Sequence, residues 1–337
     1  MFKYIESEKV YISLLSGYNT YVETEDYTET LTGQRAMVIQ HTRTKELYYA
    51  IPISTPLDLM ENEWFVQKWR KLIDYPCNSG WLWPVDFIRK DIGADNSFLV
   101  YAFCSKFQYE SIATLSFEKD FLGVDNSYAR MAALALICAY ESIYEKKYLF
   151  FGLDDDKVFV NKKESSLLIP IHEDISIDRK SEIVFTEDDY FSEVIDPYHY
   201  ANRRKNAQDK DVYLYDATSE NYAFVSILFR LLIGLYPYEG PILDEYEYNL
   251  NSSENTDWIY KYVQNPVFIF DMIDKSNSIE MYNKNQIHVK RWSMLSDKLR
   301  EMFTNTLTQR NVMRISSVFY TPTQWRIAIE ETIKNVS

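Results

Sequence analysis

Three short clusters carry side chains that could do chemistry. Asp154-Asp155-Asp156 sets three carboxylates in a row, and magnesium or calcium is held by such oxygens. Consecutive residues point in different directions, so a metal there needs further ligands from elsewhere. The other reading is a solvated acidic turn. His172-Glu173-Asp174 is either a displaced ligand set or the polar start of a loop after an apolar run. Arg203-Arg204-Lys205 is the densest basic cluster in an acidic chain. Guanidinium forks suit phosphate or carboxylate recognition, or the cluster neutralises the acidic loops around it. The other histidines, His41, His199 and His288, form no pair at i, i+4 spacing. No GxSxG, HExxH, Walker A or dinucleotide-binding motif is present.

Composition limits the classes to consider. The 337 residues are 46% hydrophobic and 16% aromatic, enough to bury a sizeable core and unlike a disordered chain. The net charge of −14 repels a phosphate backbone, so nucleic acid is not an expected partner. Cys77, Cys104 and Cys138 are odd in number and widely spaced, which suggests neither a disulfide framework nor a zinc site. Met1 to Lys9 lacks the apolar run of a signal peptide. No window reaches the roughly 18 apolar residues of a membrane span. The expectation is a cytoplasmic protein with no membrane partner.

The elements that must position these clusters change character along the chain. Val10–Leu15, Gln34–Gln40 and Glu46–Ile51 are β-branched or aromatic runs bounded by turn residues, and read as strands. Pro56 to Asp74 reads as a helix ended by Pro76. Trp81–Ile88 and Ser97–Phe103 read as two more strands. From about Phe107 the pattern is helical. Ala129–Tyr144 is a long apolar helix, followed by Leu149–Val160, which holds the aspartates, and by a strand at Leu167–Ile171. Asp174 to Lys210 is charged and poor in periodicity, and reads as a long ordered loop. Glu220–Gly234 is apolar nearly all round, the mark of a buried helix. Asp244 to Asp257 reads as an acidic surface loop. Ser296–Leu307 and Thr321–Lys334 are the closing helices. A β-rich first third followed by a helical remainder is an α+β pattern.

In this order the segments resemble the protein kinase-like superfamily. They look most like bacterial kinase-like proteins fused to helix-hairpin-helix modules or associated with stress-response clusters. Tyr49-Ala-Ile-Pro52 is similar to the strand that carries the ATP-binding Lys. Trp69–Pro76 and Trp81-Leu-Trp-Pro84 look like helix C and the strand after it. Tyr144–Tyr148 resembles the family's His-x-x-Gly-Tyr. Ser219–Gly234 with Tyr236–Gly240 is similar to the buried helix F and its exit, and Trp325 to the tryptophan of the last helix. The resemblance implies a two-lobed protein kinase-like fold. A small β-rich N-lobe would span 1–106 and a larger helical C-lobe 107–337, as one structural unit.

The departures bear directly on function. Where the family has its Lys, catalytic Asp, metal-binding Asn and second metal-binding Asp, the resemblance places Pro52, Gly152, Lys157 and Pro170. Kinase chemistry is positioning and charge stabilisation of a phosphoryl group. Pro52 has neither charge nor reach, Gly152 has no side chain, and Lys157 repels a cation. The helix F Asp becomes Glu220. Leu15–Tyr21, in the place of the Gly-rich loop, holds one glycine.

The leading expectation is therefore a catalytically inactive pseudokinase that acts as a protein-binding or regulatory module, with no cofactor or metal. Its contacts would fall on Asp174–Lys210, including Arg203, Arg204 and Lys205, and on Asp244–Asp257. The alternative is an atypical kinase or nucleotide-dependent transferase using Asp154, Asp155 or Asp174 in migrated roles. A third reading is a small-molecule sensor using the interlobe cleft without metal. Asp155→Ala is expected to change stability little, and truncation at Phe229 to unfold the helical part.

Overall fold

The computed structural model describes residues 10–54, 63–77, 80–90, 97–103, 108–115, 127–161, 163–164, 166–186, 194–241, 266–280, 286–308 and 320–334. The first part is a closed barrel of six strands: β1 (Val10–Ser13), β2 (Thr20–Glu29), β3 (Arg35–His41), β4 (Leu47–Pro52), β6 (Asp86–Lys90) and β7 (Ser97–Ala102), in the order β1-β2-β3-β4-β7-β6. All pairings are antiparallel, and β1 closes the ring by bonding to both β2 and β6. Side chains alternate across each strand. Tyr11, Tyr21, Met37, Ile39, Ala50, Ile88 and Val100 fill the interior. Asp86 is also buried, and its carboxylate accepts from Ser13 Oγ (2.8 Å), Tyr21 OH (2.8 Å) and the Phe87 N–H (2.8 Å). A buried charge is tolerable when hydrogen-bonded in this way.

Helix α1 (Glu63–Asp74) lies outside the barrel. Phe65, Lys68, Trp69 and Leu72 make its buried face. The rest of the helix expected over 56–74 falls on residues 55–62, outside the described set, as does the boundary expected at 106/107.

The helical part is built on α2 (Ser127–Glu145) and α4 (Ala217–Ile233), with α5 (Gln286–Met294), α6 (Asp297–Leu307) and α7 (Pro322–Lys334) around them. Phe224 of α4 stacks on Tyr140 of α2 at 4.1 Å. Phe229 packs against Phe268, Phe270, Trp292 and Phe303. Asp216 caps α4 by accepting from the N–H groups of Thr218 (2.7 Å) and Ser219 (3.2 Å). Gly234 ends it at φ 89°, a left-handed conformation that glycine adopts without steric cost. One apolar core runs from Tyr49 and Phe87 through α2 and α4 to Trp325.

Short strands join the two parts. β5 (Trp81–Leu82) pairs in parallel with β11 (Ser166–Pro170); β11 pairs with β10 (Phe159–Asn161), and β10 with β8 (Glu110–Ser111). β9 (Leu149–Phe150) pairs with β12 (Ile175–Ser176). The stretch read as a long loop, Asp174 to Lys210, contains β13 (Ile183–Thr186), α3 (Pro197–Ala201) and β14 (Arg204–Lys205), and the two strands pair with β15 (Asp211–Tyr215) just after it in a three-stranded sheet. The loop expected at 244–257 lies outside the described residues. No described helix is long and apolar enough to cross a membrane.

Candidate functional site

A cavity of about 330 Å³ lies where the barrel meets the helical part. Alternation along β4 decides what faces it. Ala50 points into the barrel, so Tyr49 and Ile51 face the cavity. Tyr49 stacks on Tyr101 of β7 with centroids 5.3 Å apart and planes 14° apart. Tyr101 OH donates to the Ile171 carbonyl at 2.7 Å. The turn Thr30–Gln34 between β2 and β3 covers the cavity, and Leu82, Pro170 and Ile171 line it from the other side. Asp156, Lys157, His172, Glu173 and Asp174 supply its charge.

Two sequence assignments are corrected by this geometry. Pro52 is exposed and does not line the cavity; Ile51 does, because the period of two puts 49 and 51 on one face. The segment Leu15–Tyr21 joins β1 to β2 away from the cavity. The covering turn is Thr30–Gln34, since β1 is a strand ahead of the β2–β3–β4 meander.

Gly152 is buried at the end of the β9 segment. A Cβ there would overlap the Asp174 carboxylate, so the carboxylate of Asp174 occupies the space that a side chain at 152 would fill. Asp174 Oδ1 accepts from the His172 N–H (2.9 Å), and Oδ2 accepts from Lys157 Nζ (3.1 Å). The Asp174 carbonyl accepts from the Phe151 N–H (2.9 Å). Lys157, Asp174 and Gly152 thus meet at one point, while Pro170 contributes only an uncharged wall.

The three aspartates separate. Asp154 accepts from the Asp155 N–H at 2.7 Å and caps a 3₁₀ turn over Asp155–Lys157. Asp155 turns away from the cavity and accepts from Tyr236 OH (2.6 Å) and Arg230 Nη2 (3.3 Å). Asp156 alone of the three lines the cavity. Among the described residues, no group of three His, Cys, Asp or Glu side chains is placed to hold a metal.

Glu173 Oε2 accepts from the Ser54 N–H at 2.8 Å, tying the end of β4 to the segment after β11. Lys68 of α1 is buried behind Glu173 and Asp174. Burial pulls its ammonium down to about 8, against the raising influence of those two carboxylates. Sequence reasoning missed Lys68, although one signal existed: it stands among Phe65, Trp69 and Leu72 on the buried face, where a charge is unusual. Burial also lowers the pKa of the His172 imidazole, although Glu173 and Asp174 oppose it.

Below the cavity, Glu220 is fully buried. Its Oε1 accepts from the Phe150 N–H at 2.6 Å, and it forms an ion pair with Arg179. Arg179 also donates to the Tyr148 carbonyl (3.0 Å) and Tyr140 OH (3.1 Å). Burial pushes the Glu220 carboxyl up to about 7, with Arg179 and the Phe150 N–H pulling the other way. The basic cluster is partly consumed locally: Arg203 Nε and Lys205 Nζ share the Asp211 carboxylate at 3.1 and 3.0 Å. Arg204 is exposed.

Solved structures supply the comparison. The chain superposes on the kinase domain of a Toxoplasma gondii rhoptry antigen with a TM-score of 0.54 and 12% identity, covering 97% of this chain and 86% of that one. A rhoptry kinase from Toxoplasma gondii gives 0.53 and 12%, covering 98% and 85%. The autoinhibited serine kinase domain of the giant muscle protein titin gives 0.54 and 13%, covering 94% and 82%. The fold is protein kinase-like. No family model matches the sequence, and no curated protein matches it. β4 precedes α1 in the chain, and α4 is buried at the centre of the helical part. Glu220 holds the backbone of the segment leading to Gly152.

Proposed function

We propose that the protein is a pseudokinase: a cytoplasmic, bacterial kinase-like module that regulates by binding another protein and does not transfer phosphate. The observation that carries this reading is the Gly152–Asp174–Lys157 arrangement. Phosphoryl transfer needs a carboxylate that accepts the proton of the attacking hydroxyl, and acidic or amide side chains that hold metal. Here the carboxylate nearest that role is taken up by an ammonium and a backbone N–H. The cavity-facing residues of β4 are Tyr49 and Ile51, and neither can neutralise a phosphate. The exposed parts of the β13–β15–β14 sheet, with Arg204, are the proposed contact surface.

One observation favours a transferase instead: Asp174 reaches, from the segment between β11 and β12, the space that a side chain at 152 would fill. Thermal unfolding with and without saturating ATP, alone and with magnesium or manganese, separates the two. A ligand that binds only the native state raises the melting temperature by mass action. No shift and no transfer to a generic protein substrate is the expected result. Metal-dependent stabilisation together with transfer lost in Asp174→Asn would overturn the pseudokinase reading.

A further inference from the structure

The cavity is built, but its charge is the reverse of what a nucleoside triphosphate needs. Three carboxylates, Asp156, Glu173 and Asp174, stand at its polar end against one ammonium, Lys157, which is already bonded to Asp174. Lys68 stands behind Glu173 and Asp174 and does not line the cavity. The His172 imidazole, with its pKa lowered, adds no positive charge near neutral pH. Asp156 lines the cavity as an exposed residue. Its apolar lining includes the stacked pair Tyr49 and Tyr101 with Ile51 and Leu82.

A small-ligand pocket holds roughly 300–1,000 Å³, mostly apolar, with a few placed polar groups. This cavity, at about 330 Å³, falls at the small end of that range. Aromatic side chains pack well against another ring, and carboxylates with low-dielectric walls favour a cation beside it. We propose that the cleft is a binding site for a small aromatic amine, its ring against Tyr49, Tyr101 and Leu82 and its ammonium between Asp156 and Glu173. This inference shares the cleft with the pseudokinase reading but does not depend on the absence of catalysis.

Two near-isosteric probes differing in the sign of their charge test it: tryptamine and indole-3-propionate, titrated calorimetrically against the full chain. Tryptamine is expected to bind at least about tenfold more tightly than indole-3-propionate, a ratio worth about 1.4 kcal/mol. Asp156→Asn and Glu173→Gln are each expected to weaken tryptamine several-fold, and Thr32→Trp, placed in the covering turn, to block it. Glu173→Gln keeps an oxygen for the Ser54 N–H, so the clasp between β4 and the β11 segment survives. Equal binding of the two indoles, tighter binding of the anion, or binding of neither overturns the proposal. The wild-type comparison stands even if a variant does not fold. Phosphoryl transfer would sink the pseudokinase reading and leave this result untouched, while failure of tryptamine would leave that reading standing.

Discussion

Asp155 and Arg230 form an ion pair, Oδ2 to Nη2 at 3.3 Å, that fastens the 3₁₀ turn beneath the cavity to the last turn of α4. Both side chains are largely buried, and Tyr236 OH completes the group at 2.6 Å. The sequence suggested that Asp155→Ala would change stability little. The pairing reverses that expectation: the variant should lose about 2–3 kcal/mol, because it removes a mostly buried carboxylate that bonds both Arg230 and Tyr236. Urea unfolding checks it, and a loss below about 0.5 kcal/mol, typical of a surface substitution, would show the pair to be dispensable.

Gly152→Ala should destabilise by about 2 kcal/mol, since the new methyl displaces the Asp174 carboxylate from Lys157. In an Asp174→Ala background the same change should cost much less. A double-mutant cycle reads the coupling directly, and additive effects would mean that the two residues do not compete for one space.

The cap of α4 predicts a pH dependence. His199 Nδ1 bonds Asp196 at 2.7 Å, and Nε2 lies 3.6 Å from Asp216. Burial works against a charged imidazole, but the bonds to Asp196 and Asp216 outweigh it and push the pKa up to about 10. An unfolded histidine titrates near ~6.5. A raised pKa means that the folded state binds the proton more tightly, so this stabilisation is fully present below pH ~6.5 and disappears as pH rises through about 10. Melting temperatures between pH 6 and 10 should fall more steeply in the native protein than in His199→Asn. Parallel slopes would remove His199 as the cause.

Phe229→Ala should cost about 3–5 kcal/mol, because the ring touches four other aromatic side chains in the core. Chemical denaturation followed by tryptophan fluorescence would report it through Trp292. An unchanged midpoint would contradict the packing described.

The sequence made α4 legible because a helix apolar on nearly every face has few places to go but a core, and Asp216 and Gly234 mark its ends. The strands β3, β4 and β7 were legible for a similar reason: each carries a run of apolar residues. β2 was not, since Glu23, Glu25, Asp26 and Glu29 break the alternation on a strand that is exposed along its second half. The sheet β13–β15–β14 was hidden because α3 and β14 separate β13 from its partner β15 and the residues mix charge with aromatics. At the site, Gly152 and Lys157 were visible as oddities, but their common partner Asp174 was not placed against them. A carboxylate arriving from a distant connecting segment leaves no local pattern. Ile51 was passed over for Pro52 because the strand's face cannot be fixed from four residues alone.

The closure of the barrel by β1 limits how a partner could attach. Many recognition events work by adding a strand to an open sheet edge, where unpaired backbone groups wait for a neighbour. A cylinder bonded on every side offers no such seam. Backbone-templated docking is thereby shut out of the barrel and left to the edges of the open sheets, β13 and β14 among them.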